Sequence, residues 1–130
     1  MFSDSMRRTG FYVEYYRERW FYRFIREAES RYKYAIRVGD SNLKRDLLLS
    51  SMVKARAALY YLLGDPRFIE ASIARLVSTE GAIPKGLPSI LYEMEKLFQE
   101  ARIERDISRL QPRVEAYLRI TARVASMILG

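Results

Sequence analysis

Apolar residues in this chain recur at steps of three and four, the period of a helix with one buried face. From about Phe11 to Val38 the set Phe21, Phe24/Ile25, Ala28, Tyr32 and Ala35/Ile36 forms one stripe, and strict alternation, the mark of a half-buried strand, is absent. From about Leu43 to Leu63 a second stripe runs through Leu47/Leu48, Ser51/Met52, Ala55, Ala58/Leu59 and Leu62, whose small members let a neighbouring helix come close. Asp40 or Ser41 is placed to cap its start and Gly64 to end it. Asp65-Pro66 repeats the start signal for a short helix carrying Phe68/Ile69, Ile73 and Leu76/Val77, which Gly81 closes. A fourth helix is predicted from about Pro88 to Arg102 (Leu91, Met94, Leu97/Phe98, Ala101). A fifth is predicted from about Pro112 to Leu129 (Val114, Tyr117/Leu118, Thr121, Val124/Ala125, Ile128), with Pro112 read as its breaker and start. Short joints between helices of this length predict an all-α, antiparallel up-and-down bundle of four to five helices. No composition break divides the 130 residues, so residues 1–130 read as a single domain.

The residue types that are missing narrow the chemistry. The chain has no Cys and no His, which removes disulfides, thiolate nucleophiles, the usual zinc ligand sets and every catalytic triad that needs imidazole. Inward carboxylates of a bundle can hold two metals, but such sites use Glu with Glu-x-x-His, so a di-iron centre is excluded. Glu93-x-Glu95 and Glu100/Glu104 are carboxylate pairs of a kind that can contact Mg²⁺, yet any soluble helix shows a few surface Glu residues, and no metal or cofactor is expected. The glycines occur singly, and no phosphate-binding glycine loop is present. An enzyme would have to work through carboxylates and arginine alone. The apolar runs are far shorter than a membrane span, and the start lacks a signal-peptide core, so a cytoplasmic protein with no membrane association is expected.

Charge adds a direction. Lys+Arg 23 against Asp+Glu 16 leaves +7, and 18 of the cations are arginine, the planar cation suited both to ion-pair networks and to phosphate. The first helix packs eight aromatics into the fourteen positions from Phe11 to Phe24, interleaved with Arg17, Arg19, Arg23 and Arg26. One bundle-facing stripe cannot absorb them all. Tyr12, Tyr16, Trp20, Phe21 and Phe24 are therefore candidate interface residues, for a homodimer or for single-stranded nucleic acid stacked on rings beside arginine. A second feature is the series Arg102, Arg105, Arg109 and Arg113, interspersed with Glu100, Glu104 and Asp106. It reads either as an anion site or as an internal ion-pair network.

The run Ala28-Glu29-Ser30-Arg31-Tyr32-Lys33-Tyr34-Ala35, then Gly39-Asp40, then Ser50 through Gly64 with its Ala-rich seam and Leu62-Leu63, resembles the first two helices of HEPN domains. The stretch Leu91 to Asp106 is similar to that family's third long helix, giving a resemblance over about residues 24–128. HEPN domains are helical bundles that often accompany minimal nucleotidyltransferases. The resemblance implies a homodimer, a nucleotidyltransferase partner, and a cationic groove for a nucleotide or RNA. Arg102, Arg105 and Arg109 are its candidate anion contacts, with Lys54 and Arg56 from the second helix. Ribonuclease members carry an Arg followed a few residues later by His; Arg102 stands at the Arg position, but the chain has no His. The expected role is thus non-catalytic binding or scaffolding, the alternative being a basic nucleic-acid-binding protein that uses the first helix.

Overall fold

The computed structural model describes residues 2–78 and 85–130, with side chains from residue 16 onward. Its elements are α1 (Phe2–Ala35), α2 (Ser41–Leu63), α3 (Pro66–Ser78), α4 (Leu87–Ile103) and α5 (Ile107–Leu129), and no strand occurs among the described residues. The all-α bundle expected from the sequence is what forms. The Gly81 expected to end α3 lies outside the described residues.

Local chemistry sets most of the helix ends. Asp40 accepts from the backbone N–H groups of Asn42 (2.8 Å) and Leu43 (3.1 Å), satisfying donors that the first turn of α2 leaves open. At the other end the Gly64 N–H closes on the Tyr60 carbonyl at 3.1 Å, and the next residue, Asp65, accepts from Arg67 N to start α3. Gly86, at φ 90°, occupies the left-handed region before Leu87-Pro88 begins α4, a conformation that side chains with a Cβ rarely adopt.

Two boundaries depart from expectation. The first helix begins at Phe2 and ends at Ala35, earlier at both ends than the apolar stripe indicated. The fifth begins at Ile107, with Pro112 inside it. Asp106 provides the stronger start, accepting from Ser108 N (3.0 Å) and Ser108 Oγ (2.7 Å), and these bonds hold its carboxyl below the usual aspartate range. Pro112 forfeits the bond it would donate to Ser108 and crowds that carbonyl, and both residues lie on the exposed side of the helix. Asp106→Ala should therefore lower the midpoint of urea denaturation, the usual effect of losing an N-cap. An unchanged midpoint would return the start of α5 to Pro112.

Burial follows the predicted stripes. Ala28, Ala35, Leu48, Met52, Ala55, Leu59, Leu110 and Val114 are fully buried. The α1–α2 seam is made of small residues, so the helices approach closely, and Ser51 satisfies its hydroxyl there by donating to the Ala28 carbonyl at 2.6 Å. The α2 helix packs against α1, α3, α4 and α5, whereas α3 meets only α2 and α4. Near the start of α2, Arg45 reaches across to the end of α4 and donates to the carbonyls of Glu104 and of Arg102 (3.2 Å to the latter), satisfying acceptors that a helix end leaves open. Ile36, Phe68 and Ile128, placed on core stripes by spacing, are exposed because they lie at the ends or outer turns of their helices. No described helix is long and apolar enough to cross a membrane.

Candidate functional site

A groove of about 640 Å³ opens between α2, α3 and α4. The α2 helix sends Met52, Ala55 and Leu59 inward and turns Val53 and Arg56 toward the groove. On α4, Glu95, Phe98 and Arg102 share a face through their spacing of three and four, and Glu70 projects from α3. Arg56 grips Glu95 with two parallel bonds, Nε to Oε2 and Nη2 to Oε1, each 3.0 Å, and the Tyr60 hydroxyl donates to the same carboxylate at 3.1 Å. Glu95 is only 8% exposed, so this pairing is what makes its burial tolerable. The Arg56 guanidinium lies 4.7 Å from the ring centroids of both Tyr60 and Phe98, and the guanidinium of Arg102 lies 5.7 Å from the Phe98 ring.

The electrostatics of this cluster follow from burial. Burial weakens the charged form of Arg56, but its bonds to Glu95 together with the electrostatic attraction of Tyr60, Glu95 and Tyr117 outweigh that and raise its pKa. The phenols of Tyr60 and Tyr117 are pushed up chiefly by burial, with Arg56 opposing and Glu95 adding to the rise in both, and with Tyr60 adding to it in Tyr117. Arg56 Nη1 forms a second, looser ion pair with Glu70 Oε1 at 3.9 Å, beyond hydrogen-bond distance. Arg102 has no carboxylate partner among the described residues. With Arg56 shared between Glu95 and Glu70, the groove offers Arg102 to an anion, and an incoming anion competes with Glu70 for Nη1 of Arg56.

Of the cations singled out in the sequence, only Arg56 and Arg102 meet there. Lys54, two residues from Arg56 and thus about 200° around the helix, points to the α1 seam. It pairs with Glu27 at 3.0 Å and lies 5.0 Å above the Phe24 ring. The Lys54 hydrogen bond, opposed by burial, holds the Glu27 carboxyl below its ordinary range. Arg109 is exposed and 3.8 Å from Asp106, and Arg105 is exposed with no ion pair among the described residues. Arg113 pairs with Glu100 (2.6 Å) and Glu104 (3.6 Å), so the far end of the arginine series is an internal network. Spacing alone does not point to Tyr60 or Glu70, and it marks Glu95 only as one of a carboxylate pair with Glu93, not as the partner of Arg56. A signal for Glu95 existed, because it is a carboxylate inside the stripe Leu91, Met94, Phe98, Ala101.

The aromatic part of α1 divides. Phe21 is 4% exposed and packs on Ala58, Leu62 and Ala125, so it serves the chain's own core and leaves the surface to the others. The side chain of Tyr12 lies outside the described residues. Trp20, Phe24 and, from α2, Tyr61 form a tiled cluster with centroids 5.4–5.7 Å apart and planes within 26° of parallel. Tyr16, 56% exposed, meets Trp20 edge-on at 5.9 Å. A shallow groove of about 400 Å³ is lined by Tyr16, Arg19, Trp20, Arg23 and Arg26. The same line continues along the helix: Arg19, Arg23, Arg26, Ser30, Lys33 and Arg37 follow at steps of four and three, and all six are exposed.

Among the described residues no three side chains of metal-binding type come together. No family model matches the chain, and neither a curated protein nor a solved structure does.

Proposed function

We propose that the chain is a non-catalytic helical binding module of the HEPN-like kind, holding a nucleotide in the groove between α2, α3 and α4. The observation that carries this reading is the meeting of Arg56 and Arg102 around Phe98 in a groove of nucleotide size. Guanidinium groups with free donors bind phosphate oxygens in charge-assisted pairs, and the Glu70 carboxylate accepts from an amino group such as those on nucleobases. Catalysis is not what the groups are arranged for. The lone pairs of Glu95 are engaged by Arg56 and Tyr60, the Tyr60 phenol is held protonated, and the whole sequence contains no imidazole.

Isothermal titration with ATP at low salt tests the proposal. The wild-type chain should bind, and Arg102→Glu should weaken binding by roughly tenfold or more, the weight of one lost charged hydrogen bond plus repulsion, with the helical circular dichroism unchanged. Binding retained in that variant would overturn the assignment of the groove.

A further inference from the structure

We infer that the exposed face of α1 is a binding surface for single-stranded nucleic acid, with bases stacking at Tyr16 and Trp20 and phosphates following the line Arg19, Arg23, Arg26 and Lys33. Taking 100° per residue, these four cations fall within a narrow arc opposite the buried positions Ala28 and Ala35, while Tyr16, Trp20 and Tyr34 flank it on one side. The two flanking tyrosines are each 56% exposed. From Arg19 to Lys33 the line is about 21 Å long at 1.5 Å per residue, enough for roughly six stacked nucleotides at 3.4 Å each.

Charge selects this occupant. Among the described residues elsewhere on the molecule, carboxylates pair with Lys54, Arg56, Arg109 and Arg113, though not with Arg102 or Arg105. Among the described residues only Arg23 of this line forms an ion pair, with Glu27 at 3.6 Å; Glu29 lies beside Arg26 and Lys33 without pairing to either, and no carboxylate lines the groove beside Trp20. A second copy docked face to face across a two-fold axis would set three arginines against the same three, which like-charge repulsion disfavours. A flexible polyanion that carries flat rings satisfies both the guanidinium groups and the exposed aromatic surface. Trp20 is held for that role from below, since Phe24 and Tyr61 stack against it and fix its plane.

Trp20 is the single tryptophan of the chain, so its emission reports directly on this surface. Titration of the full chain with fluorescein-labelled oligo-dT and oligo-U of about fifteen nucleotides, and with a duplex of equal length, gives both anisotropy and Trp20 quenching. Both single strands should bind with quenching and more tightly than the duplex; the ratio of dT to U affinity reads the sugar preference. Neutralising about four phosphates predicts a log–log salt slope near −3, or about fiftyfold weaker binding at 200 mM than at 50 mM salt. Arg19→Glu with Arg26→Glu, both exposed and outside the core, should abolish binding. Trp20→Ala should cost about tenfold or more, and Trp20→Phe, which keeps a flat face, should restore most of it. Binding without quenching, equal affinity for duplex, or full affinity in the double arginine variant would each overturn the inference. So would a wild-type dimer, seen in sedimentation, that this double variant dissociates. The nucleotide groove lies elsewhere, so ATP binding should be untouched by these substitutions.

Discussion

Glu95→Ala should destabilise the fold by about 3–5 kcal/mol, the expected cost of breaking a buried ion pair from one side. The removed carboxylate accepts two bonds from Arg56 and one from Tyr60. Without it, a guanidinium whose side chain is only 18% exposed keeps its charge between two aromatic rings with no acceptor for Nε or Nη2. Urea denaturation followed by circular dichroism measures the loss. The double variant Arg56→Met with Glu95→Leu separates the penalty of a stranded charge from the worth of the pair, because two apolar groups of similar volume should recover most of the stability. A loss below about 1 kcal/mol in Glu95→Ala would mean that the pair behaves like an exposed one.

Alkali should unfold the protein cooperatively. Among the described residues three phenols, Tyr32, Tyr60 and Tyr117, have pKa values raised above the ordinary 10.0, all of them chiefly by burial. Tyr32, which also donates to Glu115, is pushed up to about 12. A raised pKa in the folded state means that the folded chain keeps protons the unfolded chain has released. This contribution is complete below pH 10 and is lost as pH climbs toward and past the folded values. Between pH 10 and about 12 the helical signal should collapse together with a rise in tyrosinate absorbance. Smooth titration of every tyrosine with no change in helix content would show that these phenols ionise within an intact bundle.

How much of this was readable beforehand differs by level. The five stripes placed α2 almost to the residue, since Asp40 and Gly64 bracket it with cap chemistry that acts locally. A proline reads as a breaker and so puts the start of α5 at Pro112, whereas Asp106 opens the helix six residues earlier and Pro112 is accommodated on its exposed side. The site was less legible. Arg56 and Arg102 are far apart in sequence, and which of several cations converge is decided by how α2 and α4 pack. Lys54 and Arg56 were grouped by proximity along the chain, yet two residues on a helix point to nearly opposite sides. Surplus rings in α1 were foreseeable from counting. That Phe21 turns inward while Tyr61 crosses from α2 to join Trp20 depends on the small Ala58 leaving room at the seam.

The central position of α2 carries a kinetic consequence. Because every other helix leans on it, its amide hydrogens have no route to exchange short of global opening, and they should be the last to be replaced by deuterium. By contrast, α3 contributes one fully buried residue, Ile73, and touches two neighbours, so it should exchange through its own low-energy opening while the remaining scaffold stays closed.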